Sequence, residues 1–243
     1  MQTVLTSRWK YLSALLLGAT LHAQTSAGVD VTSKVVLQPA HGSAKTKKHA
    51  SDLSNIVIWL SSAQPVSLTS EPATHPAYRL VQKDKMFTPH LLVVPTGTSV
   101  EFPNLDPFFH NVFSLFNGKR FDLGLYEAGT HRYVRFDREG VSYIFCNIHP
   151  EMSAVILSLS TPYYAVSTPD GTLAIHNVPP GSYRLHIWSE DGQPVAGLST
   201  KSIQVGEQSL HLEDIVLSRT ISPLINHKNK FGEDYPVTPA SQY

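Results

Sequence analysis

From Tyr78 to Ser160 the chain is written in short apolar or alternating runs, "YRLVQKD", "HLLVVPTGTSVEFPNLD", "HNVFSLF", "HRYVRFDREGVSYIFCNIHP" and "SAVILSLS", broken by Gly, Pro, Asn and Asp. An amphipathic helix needs an apolar face that recurs every 3.6 residues over a dozen or so, and these runs end too soon for that. They suit strands joined by turns, and their spacing predicts an antiparallel β-sandwich or barrel. In "GVSYIFC" the period of two sends Val141, Tyr143 and Phe145 to one face and Ser142, Ile144 and Cys146 to the other. Cys146 then ends a strand, and "NIHPEM" is the turn that follows it.

The flanks carry the same signature. "VDVTSKVVLQP" and "SNIVIWLSS" are rich in β-branched residues and read as two strands. The three prolines of "SAQPVSLTSEPATHPAYRL" mark a linker or loop, with a boundary near residue 75. Beyond Thr161, "STPDGTLAIHNVPPGSYRLHIWSEDG" has two D-G turns, a P-P-G turn and two alternating strands, followed by "KSIQV" and "LEDIVLS". The stretch from Arg219 has little apolar periodicity and predicts an extended tail, packed on the surface or partly disordered.

The opening "MQTVLTSRWKYLSALLLGATLHAQ" has Arg8 and Lys10 before an apolar run, then Ala23 at a plausible cleavage point, and reads as a secretory signal peptide over residues 1–23. The run from Tyr11 to Leu21 is shorter than the roughly 20 residues a bilayer span needs, so a retained anchor is the weaker reading. Without that leader 17 basic and 19 acidic side chains remain, a formal charge of −2. Such a balance gives no electrostatic case for nucleic acid or an anionic membrane as partner. "KTKKH" at Lys45–His49 reads as a solvated loop. An exported chain with one cysteine cannot close an internal disulfide, so Cys146 is either buried as a small hydrophobe or in use.

Its neighbours favour use. Cys146, His149 and Met152 are spaced C-x2-H-x2-M, and His110 stands 36 residues upstream at the start of another predicted strand. Two imidazoles, a thiolate and a weak thioether are the donor set of a mononuclear blue-copper site, in which soft and borderline ligands serve both oxidation states. Zinc is disfavoured, because thioether is a poor zinc ligand and structural zinc takes four Cys or His. A binuclear copper centre needs a second cysteine. Asn111 is placed to tie the two ligand segments together by hydrogen bonding. His131, His176 and His186 fall in predicted strands, while His41, His49, His75, His90, His211 and His227 fall singly in loops or near strand ends; none assembles into a second, catalytic copper site.

"FTPHLLVVPTGTSVEFPNLDPFFHNVF" and "GVSYIFCNIHPEMSAVI" resemble the two halves of a cupredoxin, the plastocyanin-like blue-copper family, and the short ligand loop is most similar to that of amicyanin. The resemblance covers residues 78–162. It implies an eight-stranded Greek-key sandwich holding one type 1 copper through His110, Cys146, His149 and Met152. It also implies a His149 ring edge near the surface, beside an apolar patch of Pro150 with Phe108 or Phe109, where a redox protein docks transiently. "DGTLAIHNVPPGSYRLHIWSEDG" is similar to the carboxypeptidase regulatory-like or transthyretin-like β-sandwich.

The expected organisation is therefore all-β. A cupredoxin unit at 78–162 is inserted into a second, Ig-like sandwich made of 28–75 and 163–218, with a tail at 219–243; two consecutive domains behind an N-terminal hairpin are the weaker arrangement. The expected function is exported, periplasmic electron transfer by one type 1 copper, without enzymatic turnover. A non-redox module that binds copper, carbohydrate or protein through the Ig-like part is the alternative.

Overall fold

The computed structural model describes residues 28–38, 52–62, 78–115, 118–195, 200–220, 222, 224 and 227–235. The leader, the basic cluster at Lys45–His49 and the expected boundary near residue 75 lie outside these. The fold is all-β, and the described residues contain no helix.

Strands β1 (Val29–Leu37) and β2 (Val57–Ser62) come first. Then follow β3 (Val81–Lys83), β4 (Met86–Thr88), β5 (Leu91–Pro95), β6 (Thr98–Pro103), β7 (His110–Ser114), β8 (Phe121–Tyr126), β9 (His131–Phe136), β10 (Gly140–Cys146) and β11 (Ser153–Leu159). After them come β12 (Tyr164–Val166), β13 (Thr172–Val178), β14 (Gly181–Trp188), β15 (Gly192–Pro194), β16 (Thr200–Val205), β17 (Leu210–His211) and β18 (Ile215–Arg219).

Among the described residues, strands β3 to β11 pair only with one another. One sheet runs β5-β11-β10-β7-β8, and β6–β9 and β3–β4 form two-stranded ribbons. Phe102, Val100, Val134 and Phe136 of the β6–β9 ribbon meet Val112, Ile144, Ala154 and Ile156 of the larger sheet in a common core. Nine strands stand here where eight were expected, because the first edge is split: Pro89 lies between β4 and β5 and has no N–H for a ladder.

Strands β1 and β2 pair instead with strands that lie beyond Tyr164. β1 joins β13, β17 and β18, and β2 joins β12 and β14. The two sheets, β13-β1-β18-β15 and β12-β2-β14-β16, enclose a second core containing Val31, Val35, Ile58, Leu60, Ile175, Leu185 and Leu217. At Gly171, φ is +85° and an added Cβ would lie 2.6 Å from the Val35 carbonyl oxygen, so only glycine fits beside β1.

The alternation expected in β10 is present. Ile144 and Cys146 face the core shared with the β6–β9 ribbon, whereas Phe145, with Val141 and Tyr143 beside it, packs with Phe113, Val155, Leu224 and Trp188. The outward face of this sheet is thus covered by β2, β14 and the C-terminal segment rather than by water. This explains why β11 reads as a continuous apolar run: Val155, Leu157 and Leu159 face that covering layer while Ala154 and Ile156 face the core.

Candidate metal centre

Register brings the ligand candidates together. In the antiparallel β10–β11 hairpin Phe145 is opposite Ser153, so Cys146 and Met152 form the next pair, and the Cys146 N–H donates to the Met152 carbonyl at 3.2 Å. Directly opposed residues point to the same face with Cβ atoms about 4.5–5.5 Å apart. On the other side of β10, Cys146 is paired with Val112 of β7. His110, two residues before Val112, lies on that same face by alternation. The loop closes on itself where the Met152 N–H donates to the His149 carbonyl at 3.1 Å, and this turn folds His149 back over the strand ends.

The Cys146 sulfur lies 3.6 Å from His110 Nδ1 and 3.5 Å from His149 Nδ1, and the two nitrogens are 3.1 Å apart. A circle through these three atoms has a radius of about 2.0 Å, and imidazole nitrogen and thiolate bind first-row metals at about 2.0–2.3 Å. The triangle is therefore the right size for one ion. His110, Cys146 and Met152 are wholly buried, and His149 is 8% exposed. Among the described residues, His110, Cys146 and His149 are the one group of three or more His, Cys, Asp or Glu side chains whose donor atoms lie close enough to hold a metal ion. Met152 shares a core cluster with Cys146.

A carboxylate fixes the orientation of His110. Its Nε2–H donates to Asp106 Oδ2 at 2.8 Å, which leaves Nδ1 unprotonated and turned toward Cys146 and His149. Asp106 is itself held by the N–H groups of Asp84 at 2.6 Å and Lys85 at 3.0 Å, in the tight β3–β4 turn where both residues have positive φ. The ring of Phe108 lies 5.3 Å from His110 and 5.5 Å from His149 and packs against both imidazoles, and the Lys85 ammonium lies over the same ring at 5.5 Å.

Burial decides the protonation of the metal-free site. It pushes the Cys146 thiol up, against the opposing effect of backbone N–H groups from Asn111, Ile148 and His149 that face the sulfur. It lowers both imidazoles, with Asp106 opposing this at His110 and the neighbouring His110 and Lys85 reinforcing it at His149. Burial raises Asp106, but the bonds from His110, Lys85 and Asp84 together outweigh it and the carboxyl lies below its ordinary range. Neutral imidazoles are the form that binds metal.

Asn111 ties the two segments together by hydrogen bonding as expected, through its backbone and not its side chain. Its side chain donates to Asp122 Oδ1 of β8 at 2.6 Å rather than bridging the ligand segments. The bridge is made by its backbone, whose carbonyl accepts the Asn147 N–H at 3.1 Å. Phe109 and Ile148 are exposed beside the site, at 52% and 44%. Sequence reading missed Asp106, for which the spacing of four residues to His110 was the available signal. It also missed His227 and Tyr235, which reach the ligand loop from 77 and 89 residues away. His131 and His176 are exposed, and His186 stacks on Trp59 at 4.9 Å.

No protein-family model matches the chain, and no curated protein matches its sequence. Several solved structures are similar over part of it. A purple cupredoxin from Nitrosopumilus maritimus is 24% identical, with 34% of this chain and 99% of its own covered and a TM-score of 0.31. A copper-containing nitrite reductase from Thermus scotoductus SA-01 is 24% identical over 41% of this chain and 26% of its own, with a TM-score of 0.35. The reduced Cu(I) form of an amicyanin variant is 16% identical over 42% of this chain and 98% of its own, with a TM-score of 0.33.

Proposed function

We propose that this chain is an exported copper protein that carries single electrons, with His110, Cys146 and His149 as the strong ligands of one type 1 copper and Met152 as the axial one. The observation that supports it most is the buried triangle of two Nδ1 atoms and one sulfur, 3.1–3.6 Å on its edges. Copper held by such a donor set supplies a reversible one-electron couple.

The surrounding residues suit that task. Asp106 holds the His110 ring in the tautomer that presents Nδ1, and Phe108 packs against both imidazoles. Burial raises the Cys146 thiol, and the backbone N–H groups directed at its sulfur offset part of that rise. A site fixed by strand register and by these contacts changes little between oxidation states, which keeps electron transfer fast. The exposed Phe109 and Ile148, with Pro150, form the apolar rim on which a redox partner docks for a short time.

Among the described residues, strands β3 to β11 pair only among themselves while β1 and β2 pair with strands from Tyr164 onward, which supports a copper unit at 78–162 inserted into a second, Ig-like sandwich. The test is a visible spectrum of the copper-loaded chain. Intense thiolate-to-copper absorption is expected, and Cys146→Ser removes it; bound copper without colour would overturn the reading. Reversible voltammetry that shows no catalytic current with nitrite or oxygen then separates a carrier from an enzyme.

A further inference from the structure

Residues 227–235 lie along the outside of the ligand loop, and their contacts fall on two residues at the end of β10 and two of the loop that follows it. His227 stacks on the Phe145 ring, with centroids 4.0 Å apart and planes 27° from parallel, and its Nε2–H donates to the Pro150 carbonyl at 2.9 Å. The Lys230 N–H donates to Asn147 Oδ1 at 2.9 Å, and its ammonium reaches Asp122 at 2.8 Å, the same carboxylate that holds Asn111. The Tyr235 hydroxyl donates to the Cys146 carbonyl at 2.8 Å, and its ring meets His227 edge-on at 5.2 Å.

One peptide unit is thereby held at both ends. Between Cys146 and Asn147, the N–H is bound by the Asn111 carbonyl and the C=O by Tyr235. A peptide group is planar, so two bonds on its opposite edges prevent it from rotating. The backbone angle after Cys146 is set with it, and so is the direction in which the sulfur leaves the strand.

We propose that residues 227–235 are a strap that holds the ligand loop in its binding geometry, with Tyr235 and His227 as positioning residues for Cys146. The strap occupies the Cys146 side of the loop, whereas Phe109 and Ile148 stay exposed. Its consequence for copper rests on the copper reading, but its effect on the loop does not.

The experiment therefore has a metal-free arm and a copper arm, both on the full chain. Amide hydrogen exchange is measured at Asn147 in the ligand loop and at Ile156 in the centre of β11, in wild type, Tyr235→Phe and His227→Ala. Loss of one hydrogen bond speeds local opening about fivefold. Exchange at Asn147 should rise by about that factor in Tyr235→Phe, and by more in His227→Ala, while Ile156 is unchanged. In the copper-loaded chain, loss of the ion to a strong chelator should accelerate by a similar factor. Unchanged exchange at Asn147, or an equal rise at Ile156, overturns the strap. A colourless wild type whose Asn147 exchange still rises in the variants overturns the copper reading and leaves the strap standing.

Discussion

Replacing Asp106 by Asn tests whether a carboxylate sets the metal site. Oδ2 of Asp106 accepts both His110 Nε2–H and the Lys85 N–H, and Oδ1 accepts the Asp84 N–H. An amide has one oxygen, which keeps two donors if it faces His110 and Lys85, and its NH2 group then confronts the Asp84 N–H. Two effects follow. The metal-free fold loses one buried hydrogen bond and gains an unpaired donor, a cost of about 1–3 kcal/mol. The bond to His110 also changes from charged to neutral, a loss of about 1–2 kcal/mol, or about tenfold in metal affinity. Removing a negative charge beside the ion favours the reduced state, so the reduction potential rises. Because Asp106 lies below its ordinary range when folded, its stabilising effect is present above the unfolded carboxyl value near 3.8 and is lost as pH falls through the folded one. The stability gap between Asp106→Asn and wild type should therefore shrink in acid. Chelator competition, voltammetry and denaturant unfolding between about pH 3 and 7 read these effects. Unchanged affinity, a lowered potential or a gap that widens in acid would refute the role given to Asp106.

Met152→Leu conserves volume in the core, so metal-free stability should fall by less than about 1.5 kcal/mol, while the copper site keeps its colour and its potential rises on loss of the thioether; unfolding and voltammetry check both. The His90–Glu190 pair at 2.6 Å raises His90 and, with Ser222, lowers Glu190. Its stabilisation is fully present between the unfolded values near 4.5 and 6.5, fading below through Glu190 and above through His90. With 42% of the His90 side chain exposed, His90→Ala should cost less than about 1 kcal/mol, and only in that window, in thermal unfolding against pH. Gly171→Ala forces a left-handed φ and a clash with Val35, and should destabilise by about 2 kcal/mol or more in denaturant unfolding.

What could be read from sequence was what local pattern encodes. The alternation in "GVSYIFC" and the beginning of "HNVF" were enough to place Cys146 and His110 on strand ends, and the structure brings them to a common point. Strand β8 was missed because Gly124, at φ +67°, interrupts "FDLGLY" and its burial does not alternate. Strands β12, β15 and β17 are two or three residues long, too short to carry a period. The tie through Asn111 was legible, but the partner of its side chain, Asp122, lies on that missed strand. Asp106 could be linked to His110 by spacing, but its other two bonds depend on a distant turn. Nothing local in "NHKNKFGEDY" marks His227 or Tyr235, whose contacts arise only when the chain end returns to the ligand loop.

The second sandwich has a structural bearing on the proposed metal centre that strands β3 to β11 alone would lack. Strand β10 sends Cys146 inward and Phe145 outward, and Phe145 belongs to a cluster with Trp188 of β14 and Leu224 of the C-terminal segment. Strand β11, which follows Met152, is covered on its outer face by Val57 and Trp59 of β2. Strand β10, which ends at Cys146, and strand β11, which begins just after Met152, are therefore buried on two sides, one side by their own core and the other by the flanking strands. Truncating a fully buried aromatic side chain costs about 3–5 kcal/mol, and Trp188, partly buried where it packs on these clusters, should cost less but still leave them less well covered. Trp188→Ala, more than thirty residues from any ligand in sequence, should for that reason loosen the outer face of β10 and β11. It should also speed metal loss in the same chelator assay that reads the ligand variants. If metal loss were unchanged in a folded Trp188→Ala chain, the flanking sandwich would be a neighbour of the metal centre rather than its support.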